Sequence, residues 1–160
     1  MKVIILNGKI GAGKSFVGRF LNMKLTNSAF IEGDAFLQTN PFKPTQQNYL
    51  LVAKNIANQI KTYKKFKNID YVVLSWIIFN KAIYKKIMDN LIGFSVFPIY
   101  LDCPNNVLQK RIKKDVESGT RYADNLLKFE KEPFKENFLV VNSNQKIESL
   151  FKDILKIINN

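Results

Sequence analysis

Residues 8–15 read GKIGAGKS, with glycine at Gly8, Gly11 and Gly13 followed directly by Lys14 and Ser15. Every fixed position of the pattern G-x-x-x-x-G-K-S/T is filled, and few short motifs restrict a fold so tightly. A loop that wraps a polyphosphate must turn several backbone N–H groups inward, and glycine permits that turn without Cβ clashes. The pattern assigns Lys14 a point charge on the terminal phosphates and makes the Ser15 hydroxyl a magnesium ligand. Its flanks agree with it. Lys2 to Asn7, KVIILN, reads as a short buried strand; Ser15 to Leu25, SFVGRFLNMKL, reads as a helix with Phe16, Phe20 and Met23 or Lys24 at helical spacing. A helix starting at the loop adds its positive end to the same spot. The candidate nucleotide-binding set is therefore Gly8, Lys9, Gly11, Ala12, Gly13, Lys14, Ser15 and Phe16.

A chain of 160 residues has room for one domain, and 1–160 is read as one. The longest apolar run, YVVLSWIIF, is much shorter than a membrane span needs, so no membrane partner is expected. The motif begins almost at once, with no secretory signal ahead of it, and the lone Cys103 cannot form an internal disulfide; together they lead us to expect a cytoplasmic protein. Histidine is absent, so any proton transfer must use a carboxylate or another group, and no zinc site is expected. The net charge of +12 raises nucleic acid as a partner. The lysines are spread along most of the predicted helices, as in KTYKKFK and KRIKK, without Arg-Gly repeats or aromatic RNA-binding signatures. Nucleic acid therefore ranks behind a small molecule.

Beyond the first helix, Ala29 to Phe36, AFIEGDAF, contains a second strand ending near Glu32 with Asp34 just past its carboxyl end. Ligands of open parallel sheets lie outside the carboxyl ends of strands, so Glu32 and Asp34 are the best-placed acids for metal and catalysis; the alternative for Asp34 is to cap a turn. Leu37 to Thr45 is a Pro-punctuated loop, in which Phe42 and Lys43 either form a substrate rim or serve as anchor and solvated charge. A long helix runs from Thr45 to near Lys67 and Asn68.

The third strand, within Ile69 to Phe79, carries Ser75 where many phosphate-loop proteins place a magnesium-supporting acid, so Glu32 or Asp34 would have to serve through water. Trp76 reads equally as pocket lining or core. Asn80 opens a helix bearing Ile83, Ile87 and Leu91, closed by Gly93. In the fourth strand, FSVFPIYLD, Pro98 suggests an edge or irregular position. Asp102 or Cys103 is expected to cap the next helix, NNVLQKRIKKDV, with Pro104 near its first turn. Arg111 lies beside that helix's apolar face, suited to an adenine ring or a phosphate, or else to ordinary snorkelling. Residues 115–125 form a candidate lid, with Arg121 as its catalytic cation or as an exposed loop arginine. A short helix from Asn125 to Lys131, a fifth strand in NFLVVNS and a closing helix with Ile147, Leu150, Phe151, Ile154 and Ile158 on one stripe complete the reading.

Five strands alternating with helices imply a three-layer α/β domain with a five-stranded parallel sheet and right-handed crossovers. Over essentially its full length the chain resembles the P-loop small-molecule and nucleotide kinases, among them shikimate, gluconate, chloramphenicol and nucleoside monophosphate kinases. That resemblance implies a P-loop NTPase fold with strand order 2-3-1-4-5, and ATP and Mg²⁺ as cofactors. It gives Lys14 and Ser15 the phosphate and magnesium roles. Glu32 to Asp34, E-G-D, looks like the acid-x-acid after the second strand of shikimate and gluconate kinases, where one acid supports the metal and the other meets the acceptor hydroxyl. D-A-F at Asp34 to Phe36 is similar to the D-x-F of chloramphenicol phosphotransferases, and LDCPNNVLQKRI to the segment that brings an arginine, here Arg111, to the nucleotide.

The chain departs from the pattern too. It has no Gly-Gly-Gly or D-G-x-P-R after the third strand, no histidine after Asp34, and no N-K-x-D guanine motif. The implied activity is ATP-dependent phosphorylation of a hydroxyl on an unidentified small molecule, by a monomer or homodimer. Lys14, Asp34 and Arg121 are the catalytic candidates, and Ser15, Glu32 and Asp34 the metal candidates. A nucleotide or polynucleotide 5′-hydroxyl kinase and a non-catalytic NTP-binding switch are the alternatives.

Overall fold

In a parallel sheet buried on both faces, strands read as continuous apolar runs, and the first strand of this chain meets that demand. A computed structural model describes residues 1–120 and 132–159. Strand β1 (Lys2–Asn7) holds Val3, Ile4, Ile5 and Leu6 fully out of solvent. It lies at the centre of a five-stranded sheet completed by β2 (Ser28–Glu32), β3 (Tyr71–Ser75), β4 (Ser95–Asp102) and β5 (Leu139–Asn142), in the order β2-β3-β1-β4-β5. All four pairings are parallel, with β1 in register against β3 from Lys2↔Tyr71 to Leu6↔Ser75 and against β4 from Lys2↔Ser95 to Asn7↔Tyr100. The predicted strand order and layering are those observed.

Alternation along each strand sends successive side chains to opposite faces. Val3 and Ile5 of β1 face α2 (Gln46–Lys64) and α3 (Lys81–Asp89), whose Val52, Ala53, Ile56, Ala57, Ile60, Ile83 and Ile87 share one core with Val72 and Leu74. Ile4 and Leu6 face α1 (Lys14–Lys24), α4 (Asn105–Glu117) and α5 (Ile147–Asn159), through Val17, Leu21, Leu108, Ile112, Leu150, Ile154 and Ile158. Among the described residues, no helix is long and apolar enough to cross a membrane.

Several local expectations are corrected. Helix α1 buries Val17, Gly18 and Leu21, whereas Phe16 and Met23 are 64% and 68% exposed. The close approach that turns the helix this way occurs at Gly18, where a Cβ would stand 2.5 Å from the Phe30 ring. Helix α2 stops at Lys64, short of Lys67, and starts behind Thr45, whose hydroxyl accepts the Asn48 N–H at 3.2 Å. Pro98 lies in an interior strand, opposite Ile5. Pairing with β5 begins only at Ile99, so at Pro98 the strand has β1 as its one ladder partner, and the missing N–H is tolerated there.

Neither Asp102 nor Cys103 caps α4. The cap position is Pro104, without a side-chain cap bond, and Asp102 closes β4 with its carbonyl accepting from the Ser143 N–H and hydroxyl. Asn80 does cap α3, accepting the Ile83 N–H at 3.0 Å, but α3 ends at Asp89, ahead of Gly93. Of the candidate lid, Asp115 to Glu117 belong to the last turn of α4; Arg121, the candidate catalytic cation, together with the predicted helix from Asn125 to Lys131, lies outside the described residues.

Helix α5 presses Leu150, Ile154 and Ile158 onto the sheet. Replacing the fully buried Ile154 with alanine is expected to cost about 2–5 kcal/mol, read as a lowered denaturant midpoint with unchanged m-value.

Candidate functional site

The chain leaves β1 at its carboxyl end, between β3 and β4, where a sheet of this order opens a crevice. Gly8 takes the first step with φ 146°, and a Cβ there would stand 2.6 Å from the Leu101 carbonyl oxygen. No other residue can pass β4 so closely with that backbone angle. Gly11 and Gly13 also have positive φ, and Gly13 occupies the cap position of α1 without offering a capping side chain. The first N–H groups of a helix find no acceptor inside it, so the amides after Gly13 form the natural anion cradle. The Ala12 amide is not among them, since it closes a turn onto the Lys9 carbonyl at 3.1 Å.

Lys14 is 9% exposed, and its ammonium donates to the carbonyls of Gly8 and Lys9, each at 3.0 Å. Both acceptors belong to the loop itself, so the charge sits inside the curl that would enclose phosphate. The Ser15 hydroxyl donates to Glu32 Oε1 at 3.0 Å and lies 3.4 Å from the hydroxyl of Ser75. Ser75 is fully buried at the end of β3, where the sequence offered no acid, and the carboxylate bonded to Ser15 comes instead from the end of β2. Arg19 approaches Glu32 at 3.7 Å from the exposed side of α1.

Asp34 lies in the first turn of a short 3₁₀ helix, Gly33–Leu37, that follows β2 directly. Tyr49 of α2 stands near it. Burial, and secondarily the Asp34 carboxylate, raise the Tyr49 phenol above its ordinary pKa and keep it protonated. On α4, Arg111 donates to the Gly11 carbonyl at 3.2 Å, which fixes the guanidinium on the rim of the loop.

These groups share one cavity of about 680 Å³, within the usual size of a small-molecule site. Gly11, Ala12, Gly13, Lys14, Ser15, Phe16, Glu32, Asp34 and Arg111 all line it. Gly8 and Lys9 are not on its wall; Lys9 turns away to pair with Glu132 and to donate to Asn105 Oδ1 at 3.1 Å. Trp76 is both of the things proposed for it, 2% exposed and part of the cavity wall. Asp115, the first residue of the candidate lid, also lines the cavity, as do Ser143 and Gln145, which are not singled out from sequence. For Ser143 and Gln145 the available signal was their place just beyond the carboxyl end of β5. Asn7 escaped notice as well, although an amide side chain ending an otherwise apolar strand is itself a signal. Among the described residues, no group of three or more acidic or cysteine side chains stands together, so Ser15 and Glu32 would need oxygens from a bound nucleotide to complete a magnesium shell.

A parallel sheet ordered 2-3-1-4-5 with a glycine-rich loop and helix at its central strand defines a P-loop nucleotide-binding domain. The chain belongs to the AAA domain family, whose profile matches residues 4–133. Three solved structures with this fold are a gluconokinase from Sinorhizobium meliloti 1021 (TM-score 0.76, 18% identity, 99% of this chain and 91% of that one), a sugar kinase from Janibacter sp. HTCC2649 (0.72, 18%, 99% and 94%) and an APS kinase from Mycobacterium tuberculosis solved with AMPPNP and APS (0.72, 15%, 99% and 98%). No curated protein sequence matches the chain.

The join between β2 and the cavity wall is tight, because a Cβ at Gly33 would stand 2.3 Å from the Trp76 ring. Gly33→Ala is therefore expected to destabilise the protein by about 1–3 kcal/mol through overpacking. Thermal unfolding followed by circular dichroism checks this.

Proposed function

We propose that the protein is an ATP-dependent phosphotransferase that moves the γ-phosphoryl group to a hydroxyl of a small molecule. The observation that carries this reading is the meeting of Lys14, Ser15, Glu32 and Asp34 at one cavity, where the phosphate loop and the acids at and just beyond the end of β2 share the wall. The solved gluconokinase, sugar kinase and APS kinase with this fold support the same reading.

Phosphoryl transfer demands little covalent chemistry from a protein and depends on positioning and charge. In this assignment the amides that follow Gly13 and the Lys14 ammonium hold the nucleotide's β- and γ-phosphates, and Arg111 lies against the nucleotide. Ser15 and Glu32 would hold the magnesium ion, with Asp34 as the further metal candidate. Mg²⁺, when bound, neutralises charge on the phosphates. Asp34 orients the acceptor and takes its hydroxyl proton; the acceptor oxygen forms the new bond to the γ-phosphorus as the bond from that phosphorus to the ADP oxygen breaks. Arg121 and the 115–125 lid stay part of the proposal as the group that closes over the transferring phosphate.

A polynucleotide 5′-hydroxyl acceptor is the second reading, favoured by the net charge of +12. Oligonucleotide binding that weakens steeply with salt would favour it over a small metabolite. The deciding experiment incubates the protein with γ-labelled ATP and Mg²⁺ against a panel of hydroxyl-bearing metabolites, nucleosides, antibiotics and 5′-hydroxyl oligonucleotides. Transfer to a small molecule upholds the proposal, and tight ATP binding without transfer to any member rejects it in favour of a switch.

Two substitutions separate the roles. Lys14→Met removes a charged donor and is expected to weaken ATP binding about 10- to 100-fold, measured by titration calorimetry. Asp34→Asn is expected to lower kcat about 100-fold or more while ATP affinity stays close to wild type; equal losses in both would remove Asp34 from the role of base.

A further inference from the structure

Asn7 is the last residue of β1, directly ahead of Gly8, and it is completely buried. Its side chain uses all of its principal hydrogen-bonding groups on the backbone of two other segments. Oδ1 accepts the Ile78 N–H at 3.0 Å, while Nδ2 donates to the Phe134 carbonyl at 2.7 Å and to the Ile78 carbonyl at 3.3 Å. The same Ile78 carbonyl accepts the Phe134 N–H at 2.8 Å.

The strand geometry explains why an amide is required there. The ladder between β1 and β3 runs to Ser75 and gains one more bond, from the Trp76 N–H to the Leu6 carbonyl at 3.2 Å. Past that point the chain leaves the sheet, and the Asn7 amide takes over as a surrogate strand, offering Ile78 one acceptor and one donor. The stretch held by these two attachments, Trp76 and Ile77, lines the same cavity as the phosphate loop. Phe134, the third party, is itself seated among aromatic rings, 5.3 Å from Tyr84 and 6.4 Å from Phe138.

We infer that Asn7 is a positioning residue: it sets the Trp76–Ile77 wall at a fixed distance from the phosphate loop, so the nucleotide end and the acceptor end of the cavity are held in register. Only the assignment of that wall to the acceptor rests on the phosphotransferase reading; the mechanical role does not. A buried amide in a fully satisfied network rigidifies its surroundings, and truncating it leaves backbone groups without partners.

The single tryptophan makes the wall directly observable. In Asn7→Ala, acrylamide quenching of Trp76 is expected to rise about threefold or more as the wall opens locally, with MgAMPPNP affinity within about threefold of wild type. Quenching that stays at the wild-type level in the folded variant overturns the inference, as does a nucleotide affinity that falls in parallel. Asn7→Asp serves as the second variant, since it keeps the shape and the acceptor for Ile78 but presents oxygen to two carbonyls; it is expected to give the same split. Should neither variant fold, amide hydrogen exchange on the wild-type protein decides. The Ile78 amide is expected to exchange at least about 100-fold more slowly than an unstructured amide, and exchange at a loop-like rate overturns the inference.

Once an acceptor is in hand, Asn7→Ala should raise its KM about tenfold and leave that of ATP unchanged; an unchanged acceptor KM overturns the inference. If no acceptor is ever phosphorylated while the Trp76 response appears as expected, the phosphotransferase reading fails and the role of Asn7 stands.

Discussion

The burial of β1 on both faces is the constraint from which the remaining architecture follows. A strand with Val3, Ile4, Ile5 and Leu6 all excluded from water needs a neighbour at each edge and a helical layer on each side. Supplying both edges with parallel partners forces crossover helices, and these divide into α2 and α3 on one face and α1 and α4 on the other, where the closing helix α5 joins them. The carboxyl end of such a strand is also the one place where a chain can leave the sheet into a crevice flanked by two further strand ends. The glycine loop stands there, and its position is a consequence of sheet burial as much as of its own composition.

Chemistry gathers at that exit because three other strands contribute what lies at or just beyond their carboxyl ends. From β2 come Glu32 and Asp34, from beyond β3 comes Trp76, and from beyond β5 come Ser143 and Gln145. Arg111 arrives by another route, from the second turn of α4, and is tied to the loop carbonyl of Gly11. The result is a cavity whose wall brings Lys14 and Arg111 together with the carboxylates of Glu32, Asp34 and Asp115, Glu32 itself accepting from Ser15 of the loop.

The motif, the apolar strands and the helical stripes were legible because each is a local pattern of short period. Gly8 to Ser15 could be placed between a strand and a helix from neighbouring residues alone, and the order of strands followed by resemblance. What escaped were features decided by partners distant in sequence. The face of α1 was misjudged because Gly18 gives way to Phe30, and no periodicity within the helix encodes that contact. Pro98 reads as an edge or irregular position, and at that residue β4 has β1 alone as its ladder partner; that the strand becomes interior from Ile99 onward is a property of the sheet. Asn7 offered only a polar side chain at the end of a buried strand; what it bonds to appears only when Ile78 and Phe134 are brought around it.

By itself, then, the sequence determined that a glycine-rich loop of the phosphate-binding pattern follows a buried strand, that helices and strands alternate, and that Lys14, Ser15, Glu32 and Asp34 are the candidate groups for a polyphosphate site. Those are statements about residue type and spacing, which the chain fixes within a few positions. Tertiary structure alone decided that Glu32 takes the place beside Ser15, that Lys9 turns outward to Glu132 while Lys14 turns inward, and that Trp76 is at once core and cavity wall. Each of these depends on the distance between segments that only the packed sheet brings together, and a hydrogen bond or an ion pair is decided at a scale of a few tenths of an ångström.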